Sequence, residues 1–424
     1  MNKPVTAVIV GGGHRSLTYA GLAEKRPDMF RIVGIAEPDE HRRKTISERF
    51  GIPTERQFKS ALELADVPRF ADAAINGTMD RLHVPTSLPL LRAGYDILLE
   101  KPFALNEAEL RELADCAEEN GRKVMVCFVL RYAPFYRRIK EIILSGEIGD
   151  IINIQAVEHV SYHHMSTSHI RGKWNNREKC GASMLLAKCC HDVDIMMWLM
   201  GNDFPVRVSS FGGLMQFRKE NAPENSGERC LVDCPLVDSC LYSAKKLYLD
   251  HPDRWSFYVW DELEGGSDDI KAREELLKTS PYGRCVYKSD NDVVDHQSLL
   301  ISFASGATGT FNMIGGAAVP QRKIHIIGTR GEICGTLESG ELTVSLIDPR
   351  PGCEHLDRTE NINATGDSHG GGDLALTEDF VRYISGDTPS ISCTPLSDSV
   401  KGHLTVFKAD ESMEHGGIPE KISL

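Results

Sequence analysis

The chain has 424 residues, with 48 Lys and Arg against 61 Asp and Glu, for a formal net charge of -13. Its length predicts two or three domains, and its acidity excludes the basic surface that nucleic acid or an anionic membrane would require. No apolar run approaches the ~18 residues of a membrane span, so we expect a cytoplasmic protein with neither a nucleic-acid nor a membrane partner.

Short apolar runs alternate with helical patterns through the first 125 residues. Helices are predicted to begin at Leu17, Asp39, Val84 and Glu107, and strands are predicted at 7–10, 32–36, 73–76, 96–100 and 123–129. Strands that alternate with helices indicate βαβ crossovers and a doubly wound parallel sheet. The first domain is therefore predicted to be an α/β unit over residues 1–125.

From Ile151 onward the apolar residues alternate with period two and the runs are joined by hairpin-like turns. This pattern predicts a large open, mostly antiparallel mixed sheet in an α+β domain over residues 126–424. Helical stretches interrupt it at 181–200, 374–384 and 396–413. The polar, weakly periodic segment at about 213–292 is predicted to be an insertion.

The glycine-rich turn Gly11–Ser16 follows the first strand. In a dinucleotide fingerprint, one glycine makes the tight turn, a second lets the backbone approach the pyrophosphate, and a third allows close packing of helix and strand. Ser16 stands at the third position, where it is small enough to pack and able to cap the helix. Glu37 ends the second strand, where an acid hydrogen-bonds the ribose hydroxyls and repels a 2′-phosphate. NAD is therefore favoured over NADP, although Arg42 and Arg43 weaken that preference.

Glu100, Lys101 and Pro102 follow one another at the end of the strand at 96–100. A lysine at the carboxyl end of a parallel strand points into the crevice where doubly wound folds bind ligands. Pro102 restricts Lys101 to an extended backbone. Lys101 is therefore predicted to hold its ammonium group at the reactive end of the cofactor.

Several motifs together resemble the Gfo/Idh/MocA oxidoreductases, a family that includes glucose–fructose oxidoreductase and inositol dehydrogenase. The motifs are Gly11–Ser16, Ala36–Pro38, Leu99–Pro102, Arg131–Pro134, Gly146–Gly149 and Cys190–Asp194. The resemblance covers most of the chain outside the insertion. It implies a Rossmann domain, an open mixed sheet that lines the substrate pocket, NAD(P) as cofactor, and a sugar, a cyclitol or a derivative as substrate. It also implies a homodimer or homotetramer in which another subunit covers the exposed face of that sheet.

The resemblance further assigns residues to the cofactor site, which we expect to bind NAD in preference to NADP. These residues are Gly11, Gly13, His14, Arg15, Glu37, Thr78, His83, Glu100 and Lys101.

The first helix predicted in the second domain carries the catalytic set that the resemblance implies, with one departure. Relatives have an Asp four residues before a His, and these positions hold Ala187 and His191 here. His191 is the candidate base that takes a proton from a hydroxyl while hydride leaves the same carbon, because an imidazole titrates near neutrality. Lys101 would stabilise the negative charge that develops on the oxygen. Lys188 and Asp194 each lie three residues from His191 and are expected on its face of the helix.

Lys188 is the third candidate catalytic residue, and two roles are open to it. If it reaches the pocket beside Lys101 and His191, the neighbouring positive charges disfavour its protonated form, and it could share the acid–base work. Alternatively, it contacts a substrate oxygen or an acidic group of the substrate. The sequence does not distinguish these roles.

Polar and aromatic residues alternate between Val157 and Trp174, as a polyol or glycoside site requires. Substrate contacts are predicted for Tyr162, His164, Arg171 and Trp174. The same run holds four histidines, but their spacing matches no standard pattern of metal ligands.

The chain has 12 cysteines, far below the share found in a disulfide scaffold, so mostly reduced thiols are expected. Cys230, Cys234 and Cys240 lie within eleven residues of the insertion. With a fourth ligand such as Cys189 or Cys190 they would form a structural zinc site, although their spacing differs from the usual C-x2-C pairs. Cysteines that pack as small hydrophobic residues are the alternative.

The leading functional hypothesis is an NAD-dependent oxidoreductase that moves hydride between the nicotinamide and a secondary hydroxyl or ketone of a sugar, glycoside or cyclitol. A second is a glycoside hydrolase or lyase that oxidises its substrate transiently and consumes no NAD, and the departure at Ala187 and Lys188 keeps it open. A third is a non-catalytic sugar or dinucleotide sensor, against which the retained Lys101 and His191 argue.

Overall fold

Two β-sheets organise the chain in the computed structural model, which describes residues 3–251, 253–260, 263, 268–362 and 371–423. The strands of the first sheet are β1 (Val5–Val10), β2 (Phe30–Ala36), β3 (Gln57–Phe58), β4 (Ala73–Asn76), β5 (Asp96–Leu99) and β6 (Val124–Val126). They pair in parallel in the order β3-β2-β1-β4-β5-β6, which confirms the predicted doubly wound sheet. The order reverses between β1 and β4, and in this architecture ligands bind in the crevice at that point.

Helices connect these strands. They are α1 (His14–Ala20), α2 (Leu22–Lys25), α3 (Glu40–Phe50), α4 (Ala61–Ala65), α5 (His83–Arg92) and α6 (Glu107–Glu119). The predicted start of α6 is confirmed because Asn106 caps it, accepting a hydrogen bond from the Glu109 amide at 2.9 Å. The first helix begins at His14 rather than at Leu17, since its polar first turn gives no apolar signal.

The second sheet has nine strands and is mixed, as predicted. They are β7 (Ile151–Ser161), β8 (Pro205–Gly213), β9 (His296–Phe303), β10 (Thr308–Ala317), β11 (Gln321–Gly328), β12 (Gly331–Thr336), β13 (Glu341–Ile347), β14 (His355–Asn361) and β15 (Glu420–Lys421). Their order is β14-β13-β12-β11-β7-β10-β9-β8-β15, and β7 pairs in parallel with β10 while the other pairs are antiparallel. The sequence did not indicate β14, because its residues are nearly all exposed and show no alternation.

Helices cover one face of this sheet and extend around it. They are α7 (Pro134–Ser145), α8 (Tyr162–His164), α9 (Arg177–Cys180), α10 (Cys190–Leu199), α11 (Phe257–Trp260), α12 (Ile270–Thr279), α13 (Gly372–Ser385) and α14 (Leu396–Glu414), with π-helical turns at Met165–Ile170, Leu185–Cys189 and Lys245–Leu249. The helices α10 and α14 pack against each other and against the sheet, and α10 is buried along its whole length. The helical stretch predicted at 181–200 begins at Met184, and a π-helical turn precedes α10 within it.

The helix α13 packs onto the first sheet although it comes late in the chain. Its residues Leu376 and Phe380 lie in the same buried cluster as Ile9 and Tyr19. This contact places the N-terminus of α13 beside the glycine turn.

The segment between β8 and β9 is the predicted insertion. Its described part adds no strand to either sheet and has a small apolar cluster of its own. The buried members of that cluster are Cys230, Ala244, Leu247, Tyr248, Val259, Trp260 and Leu277. Among the described helices of the whole chain, none combines the length and the apolar character needed to cross a bilayer.

Candidate active site

The glycine turn lies at the carboxyl end of β1, beside the loop that follows β4. Gly11 has a φ of +79°, and a Cβ there would come within 2.9 Å of the Thr78 backbone, so only glycine fits. Gly13 precedes α1, and a Cβ on it would meet nothing nearer than 3.8 Å. The tight turn and the open face at Gly13 fit the close approach of a dinucleotide diphosphate to the backbone.

Ser16 has a different role from the predicted cap. Gly13 is the N-cap of α1, so Ser16 lies inside the helix, where it is fully buried. A Cβ on Gly77 would collide with the Ser16 hydroxyl. A third glycine in this turn would allow the helix to pack closely on the sheet. Here Gly77, which directly follows β4, allows that close packing instead.

Glu37 links the end of β2 to the glycine turn. Its Oε2 accepts a hydrogen bond from the Gly12 amide at 2.6 Å, and its Oε1 accepts one from the Asp39 amide at 2.9 Å. Arg43 donates to the main-chain carbonyls of Glu37 and Pro38. The carboxylate is thus fixed beside the turn, while Arg43 is engaged with the backbone.

Thr78 and His83 join the loop after β4 to the loop after β5. The Thr78 hydroxyl donates to Asn76 Oδ1 at 2.9 Å. His83 lies with Nε2 3.1 Å from the Thr78 carbonyl oxygen and with Nδ1 2.7 Å from the Pro102 carbonyl oxygen. The structure therefore brings these predicted cofactor residues to the same edge of the sheet as the glycine turn.

Arg15 and Glu100 pair with each other. Arg15 Nε donates to Glu100 Oε1 at 2.8 Å, and its Nη2 donates to Asp373 Oδ1 of α13 at 2.6 Å. Burial favours the neutral form of Glu100, but the charges of Arg15 and Lys101 outweigh it and lower the pKa of this carboxyl. These two predicted cofactor residues therefore brace the turn against α13 and the strand end.

Lys101 reaches from the first sheet to the start of the helix that carries His191. Its Nζ donates to the Ala187 carbonyl oxygen at 2.8 Å. Ala187 lies in the π-helical turn Leu185–Cys189, a wider turn than an α-helical one and a type that is frequent at functional sites. The ammonium group predicted for the ligand crevice is therefore fixed between the two sheets.

Lys188 belongs to a buried network of alternating charges. Its Nζ lies 2.7 Å from Glu158 Oε1, and Arg322 Nε lies 2.8 Å from both Glu158 Oε2 and Asp192 Oδ1. Burial favours the neutral form of Glu158, but Arg322 and Lys188 outweigh it and lower the pKa of that carboxyl. Burial raises the pKa of Asp192 to about 6 against the opposing charge of Arg322. The expected crowding of positive groups is thus offset by Glu158, which offers Lys188 an opposite charge.

His191 lies in the first turn of α10, where its ring meets Phe128 edge-on with centroids 5.7 Å apart. Asp194 on the same helix is engaged in the core. Its oxygens accept from Arg131 at 2.6 and 2.7 Å, and both side chains are 1% exposed. The buried guanidinium of Arg131 therefore holds α10 against the loop after β6, while His191 lies near the Lys101 contact.

Histidine and aromatic side chains form a wall near Lys188 and Lys101. The rings of His164 and Trp255 stack with centroids 3.6 Å apart. His169 lies beside them, 5.7 Å from His164 and 6.2 Å from Trp174 between ring centroids. Trp174 Nε1 donates to Asp80 Oδ2 at 3.0 Å, which ties this wall to the first domain.

Both histidines of this wall are neutral. Burial lowers the pKa of His169 to about 3 and that of His164 well below its ordinary value, and the charge of Lys188 and then that of Lys101 add to the effect. The ammonium groups of both lysines therefore lie near the same pair of imidazoles. Neutral imidazoles, ammonium groups and stacked rings make a polar wall suited to a small ligand rich in hydroxyl groups.

The insertion contributes aromatic residues that the sequence analysis did not assign to the site. The Phe257 ring lies 5.7 Å from His14, the Tyr258 ring lies 6.0 Å from Trp174, and Trp255 covers His164. The run from Trp255 to Trp260 has four aromatic residues in six positions, which is the signal that could have indicated them. Predicted Tyr162 lies at the same boundary, where its hydroxyl accepts from Arg254 at 3.5 Å.

Arg171, a predicted substrate contact, makes its hydrogen bonds to the insertion rather than to this wall. Its Nε donates to the Arg284 carbonyl and its Nη2 to the Tyr242 carbonyl, both at 2.7 Å. The side chain is buried among residues of the insertion, which take up its donors.

The three insertion cysteines line one small cavity. Cys285 lines it with them, in the place of the expected Cys189 or Cys190. Cys189 ends the π-helical turn and Cys190 begins α10, beside the candidate base.

Comparison with protein families matches nearly the whole chain. Residues 5–128 match a model described as an oxidoreductase family with an NAD-binding Rossmann fold. Residues 140–419 match the C-terminal alpha/beta domain of the same oxidoreductase family.

Individual relatives extend this finding. The putative oxidoreductase YteT of Bacillus subtilis (strain 168) is 24% identical over 392 residues, which cover 86% of this chain and 85% of that protein. Inositol 2-dehydrogenase of Corynebacterium glutamicum (strain R) is 24% identical over 204 residues, 48% of this chain and 56% of that protein. Levoglucosan dehydrogenase, solved with NADH and levoglucosan, aligns with a TM-score of 0.71 and 18% identity over 99% of this chain and 100% of its own. These likenesses confirm the predicted fold class, a Rossmann-type parallel sheet with a C-terminal mixed sheet.

Proposed function

The chain belongs to the Gfo/Idh/MocA oxidoreductase family, and we propose that it is an NAD-dependent dehydrogenase acting on a secondary hydroxyl, or the matching ketone, of a sugar, glycoside or cyclitol. One observation carries this proposal: Lys101 Nζ bonds to the Ala187 carbonyl, at the start of the helix that bears His191. The contact joins the nucleotide-binding crevice to the second domain. The names of the relatives inositol 2-dehydrogenase and levoglucosan dehydrogenase support the same substrate class.

The residues of the site divide the work of alcohol oxidation. Bound NAD supplies the hydride acceptor. His191 takes the hydroxyl proton onto a ring nitrogen, and the Lys101 ammonium hydrogen-bonds the same oxygen and stabilises its developing negative charge. In the opposite direction, His191 returns the proton to the carbonyl oxygen.

Lys188 binds the substrate in this proposal. Its ammonium is paired with Glu158 at 2.7 Å and lies near His164 and His169. The Lys188 ammonium is therefore placed to donate hydrogen bonds to substrate oxygens as well. The neutral His164 and His169 offer further hydrogen-bonding nitrogens on the same wall.

The cofactor is NAD rather than NADP in this proposal. The Glu37 carboxylate is fixed beside the glycine turn by the Gly12 and Asp39 amides. At this place it would accept hydrogen bonds from the ribose hydroxyls and repel a 2′-phosphate.

A screen of monosaccharides, glycosides and cyclitols with NAD⁺ and NADP⁺ tests the proposal. We expect NADH to form in proportion to one class of substrate, with NAD⁺ preferred. Release of an aglycone with no lasting NADH signal would contradict the dehydrogenase proposal in favour of the redox-assisted hydrolase or lyase. Binding of a sugar with no turnover under any condition would favour the sensor.

A further inference from the structure

Four side chains of alternating charge form a ring that encloses the backbone carrying His191. Lys188 Nζ lies 2.7 Å from Glu158 Oε1. Arg322 Nε lies 2.8 Å from Glu158 Oε2 and 2.8 Å from Asp192 Oδ1. Lys188 and Asp192 are four residues apart in one helical segment, so the backbone between them closes this charge ring. His191 lies inside the closed stretch.

The second sheet supplies the other half of the charge ring. Glu158 of β7 and Arg322 of β11 lie directly opposite each other in the antiparallel pairing of these two strands. Residues opposite each other in such a pair project from the same face of the sheet. The helix α10 packs against β7, and both side chains reach its first turns. Two neighbouring strands therefore hold the helical segment at two points, one at Lys188 and one at Asp192.

The enclosed backbone changes its geometry. A π-helical turn occupies Leu185–Cys189, and α10 begins at Cys190. Cys189, at the junction, has a φ of -92° and a ψ of 1°, which depart from the values of an α-helix. Within the described chain, no side chain caps the start of α10 by a hydrogen bond. The junction therefore depends on tertiary contacts, and the charge ring supplies one at each of its ends.

Burial of the charges favours a positional role over a stabilising one. The side chains of Glu158 and Asp192 are each 5% exposed. A buried ion pair often stabilises a fold no better than packed apolar side chains of similar volume. Asp192 Oδ1 accepts a hydrogen bond from Arg322, while its Oδ2 has no hydrogen-bond partner among the residues that the structure describes. The position of Asp192 therefore depends on Arg322, and so does the end of the segment next to His191.

We propose that Glu158, Arg322 and Asp192 are positioning residues for the proposed dehydrogenase reaction, on which this inference rests. They hold both ends of the enclosed segment and so set where the His191 imidazole lies relative to the Lys101 ammonium. They act through these two groups rather than on the substrate.

Asp192→Asn opens the charge ring with little change in volume. The amide oxygen still accepts a hydrogen bond, but the negative charge that attracts Arg322 is lost. We expect kcat at pH 8 to fall about tenfold, because a small displacement of a reacting group is costly, while KM changes less than about twofold. Asp150→Asn, which alters an exposed carboxylate just before β7, is the matched control and is expected to keep kcat. Equal kcat in the two variants would overturn the inference.

The pH dependence distinguishes positioning from a general structural role. Burial raises the pKa of Asp192 to about 6; the charge of Arg322 opposes this, Glu158 adds to it and Lys188 opposes it. From α7, Tyr136 also faces this carboxylate, whose charge adds to the burial that raises the pKa of the phenol. As the pH falls through about 6, Asp192 in the unaltered protein takes up a proton and becomes neutral, as asparagine is at every pH. The ratio of kcat between the unaltered protein and Asp192→Asn is therefore expected to decrease from about 10 at pH 8 toward 1 below pH 6.

The candidate base is present in both proteins, so its own titration leaves this ratio unchanged. A ratio above 1 that does not vary with pH would assign the loss of activity to a general structural effect and overturn the inference.

Amide hydrogen exchange provides a measurement that needs no substrate. Exchange at pH 8 is followed by mass spectrometry in peptides that cover residues 185–195. We expect faster exchange there in Asp192→Asn and not in Asp150→Asn. Unchanged exchange in this region, or faster exchange throughout the chain, would overturn the inference. If Asp192→Asn does not fold, Arg322→Lys, which keeps the charge but loses the planar fork, is expected to show the same local increase.

The two proposals fail separately. If the protein oxidises no sugar, glycoside or cyclitol, the dehydrogenase proposal is wrong, and hydrogen exchange still decides whether the charge ring holds the segment. If the protein is an active dehydrogenase and Asp192→Asn changes neither kcat nor exchange, the positioning role is wrong and the dehydrogenase proposal stands.

Discussion

Lys101 Nζ lies 2.8 Å from the carbonyl oxygen of Ala187, so a side chain of the nucleotide-binding domain is fixed by a backbone group of the second domain. The family resemblance implies an Asp where Ala187 stands. A methyl group cannot accept a hydrogen bond, and the carbonyl of the π-helical turn takes that place. Because this acceptor carries no full negative charge, the Lys101 ammonium keeps its charge available for an oxygen of the substrate.

Replacement of Lys101 by Ala is expected to lower kcat by about 10²- to 10³-fold, the usual cost of losing one donor that stabilises an oxyanion. The dissociation constant of NAD is expected to change little, because the glycine turn and Glu37 remain intact. Steady-state kinetics and a fluorescence titration with NADH measure the two quantities. Lys59→Ala, at an exposed position of the same domain, is the control, and unchanged kcat in Lys101→Ala would contradict the mechanism.

Lys188→Met separates substrate binding from acid–base work. A charge-assisted hydrogen bond is worth about 1.5–3 kcal/mol, so KM is expected to rise by roughly 10- to 100-fold while the pH dependence of kcat keeps its midpoint. His191→Asn is expected instead to remove the limb of the profile that reports the base.

The matched control is Lys323→Met, which alters an exposed lysine of β11. If Lys188→Met shifted or removed a limb of the pH profile with little change in KM, Lys188 would be a proton-transfer residue.

Sequence patterns predicted the sheets and the residues at their carboxyl ends because both follow from local spacing. The glycine turn, Glu37 and Lys101 come directly after strands that the alternation with helices identifies, and parallel strands bring their ends together. The π-helical turn at Ala187 has no such signal, since its residues would equally suit an α-helix. Its position depends on packing against α14.

Contacts between the insertion and the rest of the chain could not be predicted from the sequence either. Arg171 resembles a pocket residue by its neighbours in the chain, yet its partners Tyr242 and Arg284 come more than 70 residues later. Trp255 reaches His164 in the same way. Long-range pairings of this kind depend on the course of an irregular segment, which periodicity does not describe.

Glu37→Ala is expected to reduce the preference for NAD⁺ over NADP⁺. Loss of the carboxylate removes the repulsion of a 2′-phosphate. It also frees the Gly12 amide, which donates a hydrogen bond of 2.6 Å to Glu37 Oε2. The ratio of kcat/KM for the two cofactors is the measurement, and we expect it to fall by about tenfold or more, the equivalent of 1.4 kcal/mol. Glu40→Ala, in the first turn of α3, is the control; an unaltered ratio in Glu37→Ala would show that Glu37 does not select the cofactor.

The outer face of the second sheet tests the expected oligomer. Phe211, Leu300 and Ile314 lie on this face and are 64%, 56% and 40% exposed. If a second copy covers the face, Leu300→Glu buries a charge in the interface and is expected to shift the protein toward the monomer. Light scattering coupled to gel filtration measures the mass. Leu144→Glu, at an exposed position of α7, should leave it unchanged, and a monomeric unaltered chain would contradict the expectation.

His403 makes folding stability sensitive to acid. Its ring stacks on Phe103 with centroids 3.8 Å apart, and within the described residues neither ring nitrogen has a hydrogen-bond partner. Burial lowers the pKa of His403 to about 3, and the charge of Lys101 adds to that effect. The pKa in the unfolded chain is ~6.5, so the unfolded state takes up the proton first as the pH falls. The stability that the neutral ring provides is therefore complete above pH ~6.5 and is lost toward pH 3.

His403→Phe is expected to remove this contribution while keeping the stack on Phe103. The slope of unfolding free energy against pH should decrease by up to about 1.4 kcal/mol per pH unit below pH 6, because one fewer proton is taken up on unfolding. Urea unfolding at a series of pH values from 7.5 to 5 measures the slope, with His41→Gln at an exposed position of α3 as control. His169, whose pKa burial also lowers to about 3, is unchanged in this variant and preserves part of the acid sensitivity. A slope identical to that of the unaltered protein would show that His403 is already protonated in the fold.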